Sequence, residues 1–521
     1  MAAARVGHDD GRHYSNPQHA GGSHKSEAVK GAAAAESAAL EWKSADASAP
    51  DAAARVVRLS RQLAALIESV SAHFNAQAAE DDEEAESESD PPDETLYEGV
   101  GGAAYALLHA SRVIASMQQS HMPAEAREIL SSLGRRLPAA ALTLADRAAS
   151  LHASSPHHLR VTFFMGTSGI LATRILGALH SDAADSKRTH AAVDADIAAL
   201  LAIKHADPSL PDEILYGRAG LLHSLLLVSS AITGVSSLAR HLPALRSAQD
   251  ALFDEIVSRG ESFREKPAGC PLMWSWHGKR YLGAAHGVTG ILTLLMQCEW
   301  RFKGEGSDAK RLRTLVQGTL DFCISIRLPS GNFPSSLPDS PGDSSSDKLV
   351  QWCHGAPGLV FACLAAYALW SQPSHLSAAR ASAEVVWERG LLKKGLGLCH
   401  GIAGNAYVFL RLYDATGDRT QLDRAFAFLH FGLAGPHRRQ LAEQPDVPDS
   451  LANGRAGCAC AVADCMRFLS EAAGARAAGA SASSSSSDAA ASASAAASAP
   501  SSKVPPAPFR SSFPGLDATL P

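Results

Sequence analysis

Two short stretches of this 521-residue chain set a thiol beside an imidazole and a glycine: Gln351-Trp-Cys-His-Gly-Ala-Pro-Gly358 and Leu398-Cys-His-Gly-Ile-Ala-Gly404. A third, Ala284-Ala285-His286-Gly287, keeps the histidine and lacks the cysteine. Two thiolates and one imidazole, Cys353, Cys399 and His400, make a sensible zinc set, and three protein ligands leave the fourth tetrahedral position open to a reactant. The ligands would come from separate turns, with no CxxC knuckle, so spacing alone leaves buried core cysteines as the competing reading. His286 stands in the same pre-glycine register and is the candidate acid or base. His354, directly after one ligand, either assists that chemistry or orients Cys353.

Such residues need elements that bring them together, and the glycines supply a cadence. A Gly-x-x-Gly unit opening into an apolar run recurs at Gly99, Gly166, Gly217, Gly287, Gly355, Gly401 and Gly454, at spacings of 67, 51, 70, 68, 46 and 53 residues. Each interval fits one helical hairpin plus loops. Between about 97 and 472 apolar residues recur at three- and four-residue spacing, and alternating strand patterns are nearly absent. The expected fold is all-α: an (α/α)7 double barrel, or toroid, of seven helical hairpins with GxxG corners, an open solenoid being the alternative. Paired glycines let each inner helix start close to neighbouring backbone, and are expected to leave free N–H groups facing the centre.

Composition bounds the rest. The chain is 46% hydrophobic and 19% charged with a net charge of −6, which gives no basic surface for nucleic acid. No apolar run reaches the roughly 18–20 residues that span a bilayer, so no integral membrane segment is expected. The N-terminal residues carry no apolar signal region, and nine cysteines, an odd number, suit reduced thiols in the cytoplasm. Residues 1–55 read as a mostly disordered N-terminal segment, 56–76 as a helix, 77–96 as an acidic linker, 97–472 as the barrel and 473–521 as a disordered Ser/Ala/Pro-rich tail.

The cadence, together with AAHGVTG, WCHGAPG, LLKKGLGLCHGIAGNAY and LYGRAG, resembles the eukaryotic LanC-like family, relatives of the bacterial lanthionine cyclases. The resemblance covers roughly 97–472 and a short N-terminal piece. It implies zinc held by Cys353, Cys399 and His400. It also implies a thiolate that adds to the double bond of dehydroalanine or dehydrobutyrine in proteins or peptides, with glutathione as the thiol. His286 matches the family's active-site histidine. Lys394 matches the lysine that members use near glutathione, and Arg12, in Arg12-His-Tyr-Ser-Asn-Pro17, resembles an N-terminal segment that folds back onto the site.

Three positions depart from the family's patterns. Ala356 stands where bacterial cyclases carry an arginine after the first zinc cysteine, Glu213 where they carry an aspartate, and Glu443 where animal members carry an arginine. The expected function is zinc-dependent glutathione addition; the alternative is a non-catalytic zinc- and glutathione-binding scaffold or signalling protein. A toroidal glycosidase would need two opposed carboxylates. The pre-glycine positions offer cysteine and histidine instead, with Glu98 the one acid directly before a GxxG pair.

Overall fold

The structure is a computed structural model and describes residues 12–14, 16, 49–83, 92–117, 119–155, 160–181, 187–337, 347–484 and 513–514. The expectations for residues 1–11 and 17–48, for the centre of the acidic run at 84–91, and for the tail at 485–512 and 515–521 lie outside the described residues. The helices in chain order are α1 (Ala49–Glu83), α2 (Val100–Ser116), α3 (Ala124–Ser154), α4 (Thr167–His180), α5 (Lys187–Leu201), α6 (Arg218–Ile232), α7 (Leu242–Ser262) and α8 (Val288–Gln297). They continue with α9 (Ser307–Ser325), α10 (Ala356–Trp370), α11 (Pro373–Arg389), α12 (Ile402–Thr416), α13 (Arg419–Ala434), α14 (Arg438–Glu443) and α15 (Arg455–Ser484). Among the described residues, extended pairing is limited to three isolated bridges.

The helices sort into two rings by their apolar pattern. In α10 every residue from Ala356 to Leu364 is buried, and in α2 every residue from Val100 to Ser111. Helices apolar all round belong in the interior. In α3 the buried residues fall at Ala126, Leu130, Leu133, Leu137, Ala141, Leu144, Ala145, Ala148 and His152, one stripe of a surface helix. The seven helices that follow GxxG corners, α2, α4, α6, α8, α10, α12 and α15, form the inner ring. Each packs on the next, and α15 packs on α2, so the ring is closed.

Six outer helices follow their inner partners in sequence. The seventh comes from the other end of the chain: α1 packs along α15, and is further tied by Arg55 to Asp423 of α13 and by Ser69 Oγ to Asp449 Oδ1, in the loop before α15, at 3.0 Å. The helix expected at 56–76 therefore begins at Ala49 and ends at Glu83 as the outer half of the last hairpin. At the other boundary α15 runs to Ser484, beyond 472.

Glycine is required at the corners by close approach. A Cβ on Gly404 would lie 1.9 Å from the Leu398 carbonyl oxygen, and Gly355 has φ +113°, a region side chains avoid. The first N–H of each inner helix is not free, contrary to the sequence expectation. The first helical N–H donates to the carbonyl seven residues earlier: Val100 to Asp93 (2.9 Å), Thr167 to Arg160 (2.9 Å), Arg218 to Pro211 (3.0 Å), Val288 to Tyr281 (3.2 Å), Ile402 to Gly395 (3.1 Å) and Arg455 to Pro448 (2.7 Å). The fifth corner differs. There Ala356 N donates to Asn332 Oδ1 at 2.9 Å. The corner loops fold back under their own helices and use the donors that a ligand would otherwise need.

Candidate metal centre and acid/base site

A belt of hydrogen bonds joins the corners. The residues two before each first glycine are Tyr97, Phe164, Leu215, Ala285, Cys353, Cys399 and Ala452. Leu96 N donates to Phe164 O, Thr162 Oγ1 to Leu215 O, Ile214 N to Ala285 O, and Ala285 N to Cys353 O. Cys353 N donates to Cys399 O (3.3 Å), Cys399 N to Ala452 O (2.8 Å), and Ala452 N to Tyr97 O (2.9 Å), which returns to the first corner. Seven links, all running in one direction, close the circle. The side chains of this layer are buried except that of Tyr97, which is half-buried. The next residues, directly before the glycines, are Glu98, Met165, Tyr216, His286, His354, His400 and Asn453; all but Asn453 are partly exposed and line the mouth.

Cys353 and Cys399 sit in the buried layer and His400 in the mouth layer. One ligand atom from each, two thiol sulfurs and an imidazole nitrogen, lies within 4.8 Å of the others. Gln351 Nε2 donates to Cys353 Sγ at 3.0 Å, and the Tyr97 hydroxyl is hydrogen-bonded to Cys399. Burial and the two neighbouring sulfurs push the Tyr97 hydroxyl far above its usual range, so it stays a donor. Burial opposes ionisation of Cys353, but hydrogen bonds from Cys399 and His400 outweigh it and hold this thiol well below its usual value. The hydrogen bond to Cys353 and burial drive Cys399 the other way. One thiol of the pair is thus easier to ionise than a free cysteine and the other harder, and a cation beside them favours the ionised form of both. Two sulfurs and an imidazole on neighbouring corners fit zinc, with room for a fourth ligand from the mouth.

The sequence left the role of Glu213 open, and the structure pairs it with His286. Its Oε2 lies 2.7 Å from His286 Nδ1, while the Leu215 and Tyr216 amides donate to the carboxylate from below. Burial raises the Glu213 carboxyl, opposed by the hydrogen bond to His286 and by those two amides. Two backbone amides donate to its oxygens and favour the ionised carboxylate; a carboxylate only accepts, so Nδ1 carries the ring proton and Nε2 is left for a reactant. Trp276 stacks on His286 with centroids 4.0 Å apart and planes within 6°. A turn at His277 (φ +48°) and Gly278, closed by hydrogen bonds between Trp276 and Lys279, holds the indole there. His354 lies 6.2 Å from His286, ring to ring. Burial lowers its pKa, with Cys353 pulling the other way.

Residues 90–468 match the family described as lanthionine synthetase C-like protein. The chain belongs to that family. It is 36% identical over 260 residues to a Danio rerio protein named Glutathione S-transferase LANCL1, across 50% of this chain and 60% of the zebrafish one. It is 32% identical over 351 residues to the Arabidopsis thaliana LanC-like protein GCL1, across 65% of this chain and 70% of the plant one. Among solved structures nisin cyclase has the same fold, with a TM-score of 0.53 at 14% identity over 78% of this chain and 97% of the cyclase.

The remaining positions that the LanC-like resemblance singled out lie around the loop after α11, on α10 and on α14. The segment around Arg12 docks on the loop after α11: Tyr14 N donates to Leu391 O at 2.7 Å, Lys393 N to Arg12 O at 3.2 Å, and the buried Asn16 side chain to Trp387 O. Residues 15 and 17 of that motif lie outside the described residues. Lys394 follows in the same loop, exposed, with no ion pair among the described residues, and close enough for its charge to act on Cys399. Ala356 is fully buried at the first turn of α10, where an arginine would have no room. Glu443 is on the surface in α14, 3.0 Å from Arg439.

Sequence reasoning passed over Tyr97, Gln351, Trp276 and the pairing of Asn453 with Glu98 between the seventh and first corners, which ring closure makes neighbours. Tyr97 could have been found, since it stands two residues before the first glycine as Cys353 does before the fifth. Trp276 lies in a loop with no cadence and gives no such signal. All nine cysteines are unpaired, and no helix among the described residues is long and apolar enough to cross a membrane.

Proposed function

We propose that this protein adds the thiol of glutathione to dehydroalanine or dehydrobutyrine residues in proteins or peptides, at a zinc centre formed by Cys353, Cys399 and His400, in the cytoplasm. The observation that carries the reading is two sulfurs and an imidazole nitrogen within 4.8 Å, at a mouth shared with a histidine fixed by a buried carboxylate. Zinc bound there would lower the pKa of a thiol in its fourth position into the neutral range.

The chain's own residues do the rest. Gln351 and Tyr97 hold the two cysteine sulfurs by hydrogen bonds. His286 Nε2 takes the thiol proton as sulfur bonds to the β-carbon, and returns it to the α-carbon as the double bond closes to a single bond. No atom is gained or lost beyond thiol and alkene. Glu213 offsets the charge that the ring carries in between, and Trp276 keeps water off one face of it. Lys394 and Arg12 supply positive charge for the two carboxylates of glutathione. A cleft of about 560 Å³ lined by Tyr216, Trp276, Ser275 and Arg259 opens beside this ring and gives the substrate chain a way past it.

The scaffold reading draws on Ala356 and Glu443, neither of which adds positive charge near the site; Glu443 faces solvent paired with Arg439. Metal content and addition activity separate the two. Wild type and Cys399→Ala are compared for zinc per chain and for glutathione addition to a dehydroalanine peptide. About one zinc per chain, lost together with activity in the variant, supports the enzyme. Zinc without activity leaves the scaffold, and reduced wild type without zinc removes both.

A further inference from the structure

Phe513 belongs to the segment that the sequence reads as a disordered tail, yet its side chain is fully buried inside the inner ring. It stacks on Trp352 at 5.3 Å and 25°, and meets Phe361 at 5.0 Å and Tyr407 at 5.1 Å, edge to face. Phe361 is on α10 and Tyr407 is on α12, each five residues beyond the first residue of its helix. At about 1.5 Å per residue both stand roughly 8 Å below the corners. The corner before α10 carries Cys353, and the corner before α12 carries Cys399 and His400. Phe513 is therefore a wedge between the two helices whose starts hold the three donors.

Trp352 adds a second connection. It is bonded directly to Cys353, and its indole nitrogen has no hydrogen-bond partner among the described residues. Packing alone locates the ring, against Phe513 on one side and Phe164 edge-on at 6.2 Å on the other. Core aromatic rings are close-packed, and their removal lets neighbours shift into the space left.

We infer that Phe513 is a positioning residue for the metal centre. Its ring, seated between the inner helices, sets the separation of α10 and α12, and braces Trp352 so that Cys353 stays in register with Cys399 and His400. This rests on the zinc reading for its consequence, and on the geometry alone for its mechanism.

The test is Phe513→Ala in the full chain beside Phe428→Ala, a buried ring packed on Trp387 and Phe409 away from this socket. Zinc affinity is measured by competition with a chromophoric chelator, and amide exchange of residues 350–354 is followed in metal-stripped protein. Outer partners of metal ligands are typically worth 10- to 100-fold in affinity, so Phe513→Ala is expected to weaken zinc about tenfold and to speed exchange at 350–354. Phe428→Ala should leave both within twofold of wild type even as it lowers the melting temperature. Phe513→Leu, which keeps the socket partly filled and guards against a variant that fails to fold, should fall between. Unchanged exchange at 350–354 in Phe513→Ala, or an equal effect from Phe428→Ala, overturns the inference. Should wild type bind no zinc, the functional reading fails, and the exchange result still decides the role of Phe513.

Discussion

Replacing Glu213 with glutamine tests the acid/base assignment with almost no change of shape. Oε2 of Glu213 accepts from His286 Nδ1 at 2.7 Å and from Leu215 N at 3.0 Å, and Oε1 accepts from Tyr216 N. A glutamine has one acceptor oxygen and one donor nitrogen. With its NH₂ in the Oε1 place, two N–H groups oppose each other at Tyr216. In the Oε2 place it opposes Leu215 N–H and donates to His286 Nδ1, which drives the ring proton to Nε2. Either arrangement leaves a buried donor without a partner, at about 1–3 kcal/mol of stability. The second also removes the lone pair that takes the thiol proton. Proton transfer by a placed group is worth roughly 100- to 10,000-fold, or about 3–5 kcal/mol of barrier, and the addition rate should fall by that factor. The assay is single-turnover addition of glutathione to a dehydroalanine peptide, with zinc content and the ¹⁵N imidazole spectrum of His286 recorded on the same protein. Zinc should stay at the wild-type level, since Glu213 touches no metal-type donor. A rate within threefold of wild type, with the ring proton moved to Nε2, would refute the proton-shuttle argument. Glu213→Asp, shorter by one methylene, should retain part of the rate.

Other expectations follow from single sites. Gly404→Ala puts a Cβ 1.9 Å from the Leu398 carbonyl next to the Cys399–His400 corner; it should cost about 3 kcal/mol in urea melts and take the zinc with it. His223 is fully buried with neither ring nitrogen partnered among the described residues, and burial lowers its pKa to about 3. Because the folded value lies below the unfolded one of about 6.5, its contribution to stability is whole above pH 6.5 and is lost as pH falls towards 3, by about 3 kcal/mol at pH 4. Relative to wild type, His223→Leu should flatten the stability curve between pH 6.5 and 4; parallel curves would contradict the burial argument. Lys394→Gln should raise KM for glutathione several-fold with kcat little changed, and weaken the dependence of KM on salt, because an exposed cation steers an anion more than it reacts.

The toroid was legible because its cause is local. Seven GxxG corners and seven apolar helices repeat a pattern that a single chain displays directly, and the glycines are there because neighbouring carbonyls crowd their Cα atoms. The candidate metal donors could be picked out for the same reason: Cys353, Cys399 and His400 occupy fixed places in that register, and the structure brings them together. Glu213 was legible as a residue and not as a role, since its partner His286 lies 73 positions away on the next corner. Trp276 gave no sign because its place depends on a turn in an irregular loop. The free N–H groups expected at the corners failed for a definite reason. At six of the seven corners the loop folds beneath its own helix and brings a carbonyl seven residues back into reach, and at the fifth the Asn332 side chain takes that place; pattern alone contains neither contact.

Ring closure is what turns repeated corners into a site. A helical solenoid with the same corners would place Cys353 and Cys399 on neighbouring turns, but with Tyr97 and Ala452 at opposite ends. Here Cys399 N is bonded to Ala452 O, and Ala452 N to Tyr97 O, so the corner that carries two donors is held from both sides by the belt. The hydroxyl of Tyr97, from the first corner, then reaches the sulfur of the sixth. Closure itself depends on α1 covering α15, a contact between chain ends nearly 400 residues apart. Deleting α1 should therefore remove metal binding although α1 contributes none of the three donors, and a barrel that keeps stoichiometric zinc without α1 would show that the inner ring closes unaided.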